Sequence, residues 1–75
     1  MDINNKEYIK NILSNLPDKP GVYQYFDSTG KIIYIGKAKN LKKRVNSYFN
    51  RDIHENNKIS VLVDRICDIK YIIVD

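Results

Sequence analysis

The sequence predicts a small α/β chain of the α+β type, with a three-stranded sheet flanked by helices, and three observations predict it. Apolar residues recur at helical spacing ahead of Pro17. Two runs rich in β-branched and aromatic residues flank a turn sequence, and two more helical stretches lead into a last apolar run at Ile69–Val74. The order is α-β-β-α-α-β, and two helices between the second and third strands suffice to return the chain to one sheet.

Each element has a local cause. From Glu7 to Leu16, residues Tyr8, Ile9, Ile12, Leu13 and Leu16 share a helical face, with Asn4 or Asn5 as N-cap. Pro17 ends this helix, because the residue before a proline is pushed toward extended geometry. Leu16-Pro17-Asp18-Lys19-Pro20-Gly21 then reads as a rigid connector. Val22–Phe26 and Lys31–Ile35 form a hairpin about Asp27-Ser28-Thr29-Gly30. Asn40 caps a helix over Leu41–Phe49, in which Leu41, Arg44, Val45 and Tyr48 share one face. The third helix carries Ile59, Leu62, Val63 and Ile66, with Cys67 as a buried helix residue beside them, and Ile69–Val74 reads as a mostly buried strand.

Composition sets the bounds. A chain of 75 residues makes one domain at most, and one this short buries only about 60% of its unfolded surface. With 43% hydrophobic and 29% charged residues it is neither disordered nor fibrous. No apolar run approaches the roughly 20 residues of a membrane span, and Met1–Lys10 has no signal-like apolar stretch, so a cytosolic protein is expected. A single cysteine excludes an internal disulfide or a multi-cysteine zinc site. The single histidine, His54, has no second His or Cys at ligand spacing and reads as a solvated loop residue.

The charge is unevenly placed. Lys31, Lys37, Lys39, Lys42, Lys43, Arg44 and Arg51 fall between Ser28 and Arg51, a stretch without one Asp or Glu, although the whole chain is only +4. A partner dense in negative charge is implied, and nucleic acid fits best, because each neutralised phosphate releases condensed counterions. A merely solvated lysine-rich face is the plainer alternative. An anionic membrane fits less well, since the stretch has no apolar face of an interfacial helix.

The hairpin concentrates the chemistry. If its turn is symmetric about the 28/29 bond, Tyr23 stands directly opposite Tyr34, close enough for both phenols to serve one site. A one-residue bulge at Gly30 would break this pairing, and the pair also has a purely structural reading. Tyr34-Ile35-Gly36-Lys37 leads from the strand into the basic helix, so Lys37, Arg44 and Tyr48 are expected to converge on the tyrosine face. Such a set suits phosphodiester cleavage, which needs a base and cations at the developing phosphoryl charge. Arg44 can fork onto two phosphate oxygens, and Lys37 offers a compact charge. A phenol is a poor base at neutral pH unless neighbouring cations lower its pKa.

Gly21-Val22-Tyr23 followed by Tyr34-Ile35-Gly36 resembles the paired motif of the GIY-YIG nuclease superfamily, here in a GVY variant. The flanks, Leu16-Pro17-Asp18-Lys19-Pro20 and Lys37-Ala38-Lys39-Asn40-Leu41-Lys42-Lys43-Arg44-Val45 with Ser47-Tyr48-Phe49, resemble its UvrC branch, over about residues 10 to 75. The resemblance implies an antiparallel sheet and a metal-dependent DNA endonuclease of nucleotide excision repair, incising 3′ of a lesion while a separate C-terminal domain makes the 5′ cut. It implies that Tyr23 and Tyr34 line the site, one of them as general base or orienter of the attacking water, with the choice open. Lys37 supports that phenol or the phosphate, Arg44 stabilises phosphoryl charge, Tyr48 contacts phosphate or water, and Gly21 and Gly36 are motif glycines. Lys37, Lys39, Lys42, Lys43, Arg44 and Arg51 are the implied DNA contacts. Mg²⁺ or Mn²⁺ is the implied cofactor, and lesion-bearing double-stranded DNA, UvrB and, upstream, UvrA are the implied partners.

One departure bears on activity. The resemblance implies a metal-ligand glutamate on a helix after the third strand, beyond Asp75, the last residue of this sequence and the expected end of that strand. Glu7 and Glu55 are the only glutamates, neither at the matching position, and Asp75 could substitute only by accident. The chain is therefore expected to be a single domain, residues 1–75, truncated at its C-terminal end, with no metal ligand of its own and weak or absent cutting. A catalytically silent nucleic-acid-binding module and a protein-interaction module are the alternatives. The first has no use for paired tyrosines, and the second predicts negligible DNA affinity at about 0.15 M salt.

Overall fold

A computed structural model describes residues 3–49 and 57–74. Helix α1 (Ile3–Asn15) is followed by strands β1 (Gly21–Phe26) and β2 (Ile32–Ala38), helices α2 (Leu41–Phe49) and α3 (Asn57–Arg65), and strand β3 (Asp68–Ile73). The three strands make one antiparallel sheet in the order β2-β1-β3. The expected α+β architecture and element order are therefore present.

Helix α1 begins earlier than the apolar periodicity indicates, so Asn4 and Asn5 lie within it instead of capping it. No Gly or Pro interrupts those residues. Its C-terminal turn is back-bonded by Ser14 Oγ and Asn15 Nδ2, which donate to the Asn11 carbonyl at 3.0 and 2.8 Å. Helix α2 has the expected bounds. Asn40 Oδ1 accepts from Lys43 N at 3.0 Å, the N-cap geometry. The connector finishes the cap, because Leu41 N donates to the Lys19 carbonyl at 2.9 Å and Lys42 N to the Pro17 carbonyl at 3.1 Å. Two of the first N–H groups, which a helix cannot satisfy itself, are thus met by the Pro17–Lys19 backbone.

The hairpin register differs from the symmetric one. Asp27 N donates to the Lys31 carbonyl at 2.9 Å, and the Asp27 carboxylate accepts from Thr29 N, Thr29 Oγ1 and Lys31 N at 2.9, 2.7 and 3.1 Å. Gly30 takes φ of 84°, the left-handed geometry that favours glycine. This longer turn slips the pairing by one residue, and an irregularity at Ile33 slips it again, so Phe26 faces Ile32 but Tyr25 faces Tyr34 and Tyr23 faces Gly36. One slip reverses the face of every side chain and a second restores it. Tyr23 and Tyr34 therefore share a face as diagonal neighbours.

Strand β2 also runs past Ile35, so Gly36 and Lys37 are strand residues and not the lead-in to α2. Helix α3 stops at Arg65, and Cys67 is a half-buried residue between α3 and β3 whose N–H donates to the Phe26 carbonyl at 2.7 Å. The expectation of a buried helical cysteine is corrected accordingly. Strand β3 is not mostly buried: Ile69 is, while Tyr71, Ile72 and Ile73 are exposed. It is an edge strand, and its Ile69 end alone joins the core. It also ends at Ile73, one residue short of the Ile69–Val74 run, and the Val74 N–H donates to the Pro20 carbonyl at 3.1 Å. The core unites Ile9, Leu13 and Leu16 with Leu41, Val45 and Tyr48, Tyr23 and Tyr25 of β1, and Ile66 and Ile69. Arg51, His54, Glu55 and Asp75, and the side chain of Ile59, lie outside the described residues.

Candidate active site

Strand alternation and one helix face build the site. Tyr23 of β1 and Tyr34 of β2 project from the core face of the sheet, and Tyr48 of α2 meets them with ring centroids 6.1 Å from Tyr23 and 6.2 Å from Tyr34. The Tyr23 and Tyr34 rings stack at 6.2 Å. Tyr23 Oη and Tyr48 Oη are hydrogen-bonded at 3.1 Å. Arg44, one turn before Tyr48, sets its guanidinium carbon 5.5 Å from the Tyr48 ring centroid, within cation–π range. Tyr23 and Tyr48 are buried, whereas Tyr34 is 39% exposed, so the cluster opens to solvent through Tyr34 and Arg44.

The motif glycines are explained by what surrounds them. Gly36 sits opposite Tyr23, and a Cβ at Gly36 would overlap the phenolic end of Tyr23. A Cβ at Gly21 would meet Leu41 Cδ1 at 2.7 Å and the Ile72 carbonyl oxygen. The first glycine lets β1 approach α2 and β3; the second gives Tyr23 its place.

The electrostatics separate the phenols. Burial, then hydrogen bonding from Tyr23 and Tyr34, pushes the Tyr48 phenol well above its ordinary value. Burial likewise drives Tyr25 far up, with the neighbouring phenols adding to it and Arg44 opposing. Both stay protonated at neutral pH, so neither is the base. Hydrogen bonding with the Tyr23 phenol holds the Arg44 guanidinium above its ordinary value, so it is a permanent cation.

Not every expected residue converges. Lys37 pairs with Val22, and alternation puts it on the face of β2 opposite to Gly36 and Tyr34. It lines a groove with Gly21, Val22, Ala38, Lys39 and Val74. Lys42 and Lys43 line another groove, toward α1, with Leu13, Ser14, Asp18, Asn46 and Ser47. Of the basic residues singled out from the sequence, Arg44 is the one packed on the phenols among the described residues. Tyr25 was missed by motif reasoning. It is fully buried, its ring centroid is 5.3 Å from Tyr23, 5.9 Å from Tyr34 and 5.4 Å from Tyr48, and its hydroxyl has no partner among the described residues. Its position two residues after Tyr23 was the available signal. Such an unmet hydroxyl costs about 1–3 kcal/mol.

Among the described residues no three His, Cys, Asp or Glu side chains come together. Glu55, and Asp75 as the accidental substitute, lie outside them. Phenols and a guanidinium suit a phosphate, whereas Mg²⁺ or Mn²⁺ prefers carboxylate oxygens. The described residues thus do not by themselves fit a divalent cation.

A model of the UvrC-like GIY-YIG domain family matches residues 19–75. The UvrABC system protein C of Bacteroides fragilis is 55% identical over 74 residues, which is 99% of this chain and 12% of that protein. That of Christiangramia forsetii is 63% identical over 62 residues, 83% of this chain and 10% of that protein. The chain thus spans a small part of the length of these relatives. Among solved structures, the GIY-YIG N-terminal endonuclease domain of UvrC from Thermotoga maritima, bound to magnesium as its catalytic divalent cation, superposes with a TM-score of 0.74 at 29% identity, covering 100% of this chain and 75% of that one.

Proposed function

The chain belongs to the family of UvrC-like GIY-YIG domains, and we propose that it is the nuclease domain that makes the 3′ incision in excision repair. The observation that carries this reading is the convergence of Tyr23, Tyr34, Tyr48 and Arg44 on one solvent-open spot. Arg44 forks onto the non-bridging oxygens of a phosphodiester, where charge grows as the bond is cut. Tyr34 is the phenol a substrate reaches from solvent, and it orients the attacking water or takes its proton. Tyr48, held protonated, donates toward phosphate or water, and buried Tyr23 fixes Tyr48 through their hydrogen bond.

Lys37, Lys39, Lys42, Lys43 and Arg51 serve as phosphate contacts that position duplex DNA without reading its sequence. Lys37, on the face of β2 away from the phenols, belongs with these positioning contacts and not with the cleavage machinery. A divalent cation, Mg²⁺ or Mn²⁺, would supply Lewis-acid stabilisation, with a carboxylate outside the described residues to hold it. Lesion-bearing double-stranded DNA is the substrate, UvrB with UvrA upstream the partners, and the cytoplasm the setting. No helix among the described residues is long and apolar enough to cross a membrane.

The lack of a carboxylate cluster among the described residues favours a second reading for the 75-residue chain alone, namely DNA binding without cutting. Nicking of a labelled duplex in Mg²⁺ and in Mn²⁺ tests both, with Tyr34→Phe as the control for contaminating nuclease. Cutting, by the chain or by the domain within a protein of its relatives' length, that is lost in Tyr34→Phe supports the nuclease reading. Equal cutting by the two proteins overturns it.

A further inference from the structure

We infer that Tyr25 is a positioning residue of the phenol site, a role that rests on the nuclease reading for its catalytic meaning but not for its geometry. Tyr25 lies at the centre of the aromatic set: Tyr23, Tyr34, Tyr48 and Phe49 all place their ring centroids within 6.2 Å of its own. No polar contact holds it there, since its hydroxyl has no partner among the described residues. What Tyr25 offers its neighbours is therefore the flat surface of a fully buried ring.

Tyr34 has most need of that surface. It sits on edge strand β2, it is 39% exposed, and the register of the ladder breaks right beside its pairing with Tyr25. An irregularity of this kind removes local ladder bonding and re-aims the bulged strand. Tyr34 is stacked on Tyr25 at an interplanar angle of 27°, while Tyr48 meets the same ring edge-on at 84°. One ring thus sets the tilt of Tyr34 and the approach of Tyr48. It belongs to neither half of the paired glycine-tyrosine motif, and its full burial keeps it from a substrate's reach.

The test compares Tyr25→Phe, which keeps the ring, with Tyr25→Leu and Tyr25→Met, which keep apolar volume without a plane. The first readout is the set of NOE contacts that the Tyr34 and Tyr48 rings make with each other and with Tyr23 in the 75-residue chain, which report distance and not ring current. These contacts should be kept in Tyr25→Phe and change in both aliphatic variants. The second readout is nicking by the longer protein. Tyr25→Phe should keep kcat within about twofold, and the aliphatic variants should lose roughly tenfold or more in kcat with KM for DNA unchanged, as misplacement of a reacting group does. Unchanged NOE contacts of the Tyr34 and Tyr48 rings in the aliphatic variants overturn the inference whatever the activity, as does a Tyr25→Phe protein as impaired as Tyr25→Leu. A Tyr34→Phe protein that nicks at the wild-type rate would instead fault the nuclease reading and leave the NMR result standing.

Discussion

The phenolic end of Tyr23 occupies the space that a side chain at Gly36 would fill. The two are opposite each other on adjacent strands, so the glycine of the second motif is the complement of the tyrosine of the first. Both motifs are one contact seen from its two sides.

Gly36→Ala should therefore damage the site more than the fold. The added methyl displaces the Tyr23 ring from its present place, and overpacking of this kind costs about 1–3 kcal/mol. Chemical denaturation reads the stability loss, and nicking should fall by about 10²-fold from the misplaced phenol. Unchanged nicking with the stability loss would show that the position of Tyr23 does not matter to cleavage.

Tyr34→Phe should lower the cleavage rate by about 10²–10⁴-fold, the range for loss of one proton-transfer group, with DNA affinity nearly unchanged. Arg44→Lys should lower it by about 10²–10³-fold despite the retained charge, because an ammonium cannot fork onto two oxygens. Single-turnover rates and filter binding on the same duplex separate the two effects. Full activity in Arg44→Lys would mean that charge alone suffices.

Alkaline pH should weaken the fold through the buried phenols. Tyr25 and Tyr48 are held above their ordinary value chiefly by burial, so the unfolded chain ionises them first. Their contribution is complete below about pH 10, the ordinary phenol value, and is lost as pH rises beyond it. Urea midpoints on either side of that value should fall, with a shallower fall in Tyr25→Phe. Identical slopes for the two proteins would contradict this account.

Asp27 gives the opposite sign at the acid end. Hydrogen bonds from Thr29 and then from the Lys31 N–H lower its pKa. That stabilisation is present above about pH 4, the ordinary aspartate value, and disappears as pH falls through the lower folded value. Asp27→Asn should thus be less stable than the natural chain at neutral pH and equal to it in strong acid. A gap that persists in acid would place the effect in the side chain's shape, not its charge.

The 75-residue chain by itself should show no saturable Mg²⁺ binding tighter than about 10⁻³ M by calorimetry, since the described residues gather no carboxylates. A tighter site would place the ligands among the residues at 50–56 or at the chain ends, and Asp2→Asn, Asp52→Asn, Glu55→Gln and Asp75→Asn would then tell which carboxylate holds the ion.

Local chemistry made α2 legible: Asn40 announces its start, and Leu41, Val45 and Tyr48 mark its buried face. The tyrosine face was legible for a less direct reason. The symmetric register was wrong by two residues, and two slips leave the face unchanged. Neither slip is visible in a pattern of apolar residues, because one comes from the hydrogen bonds of the Asp27 carboxylate and the other from Ile33 packing against the core. The face of Lys37 was misjudged because glycine signals a strand end, while Gly36 is there to admit Tyr23. The exposure of β3 depends on strand order, which periodicity does not encode. Tyr25 went unnoticed because attention to the motif stopped at Tyr23.

The Pro17 and Lys19 carbonyls that cap α2 set the azimuth of the helix bearing Arg44 and Tyr48. A stretch with no reactive group is in this way the mount on which the reactive ones are aligned. Prolines at both ends of Pro17–Pro20 stiffen that mount, so loosening it blurs the aim of the guanidinium without removing a single atom from the cleft.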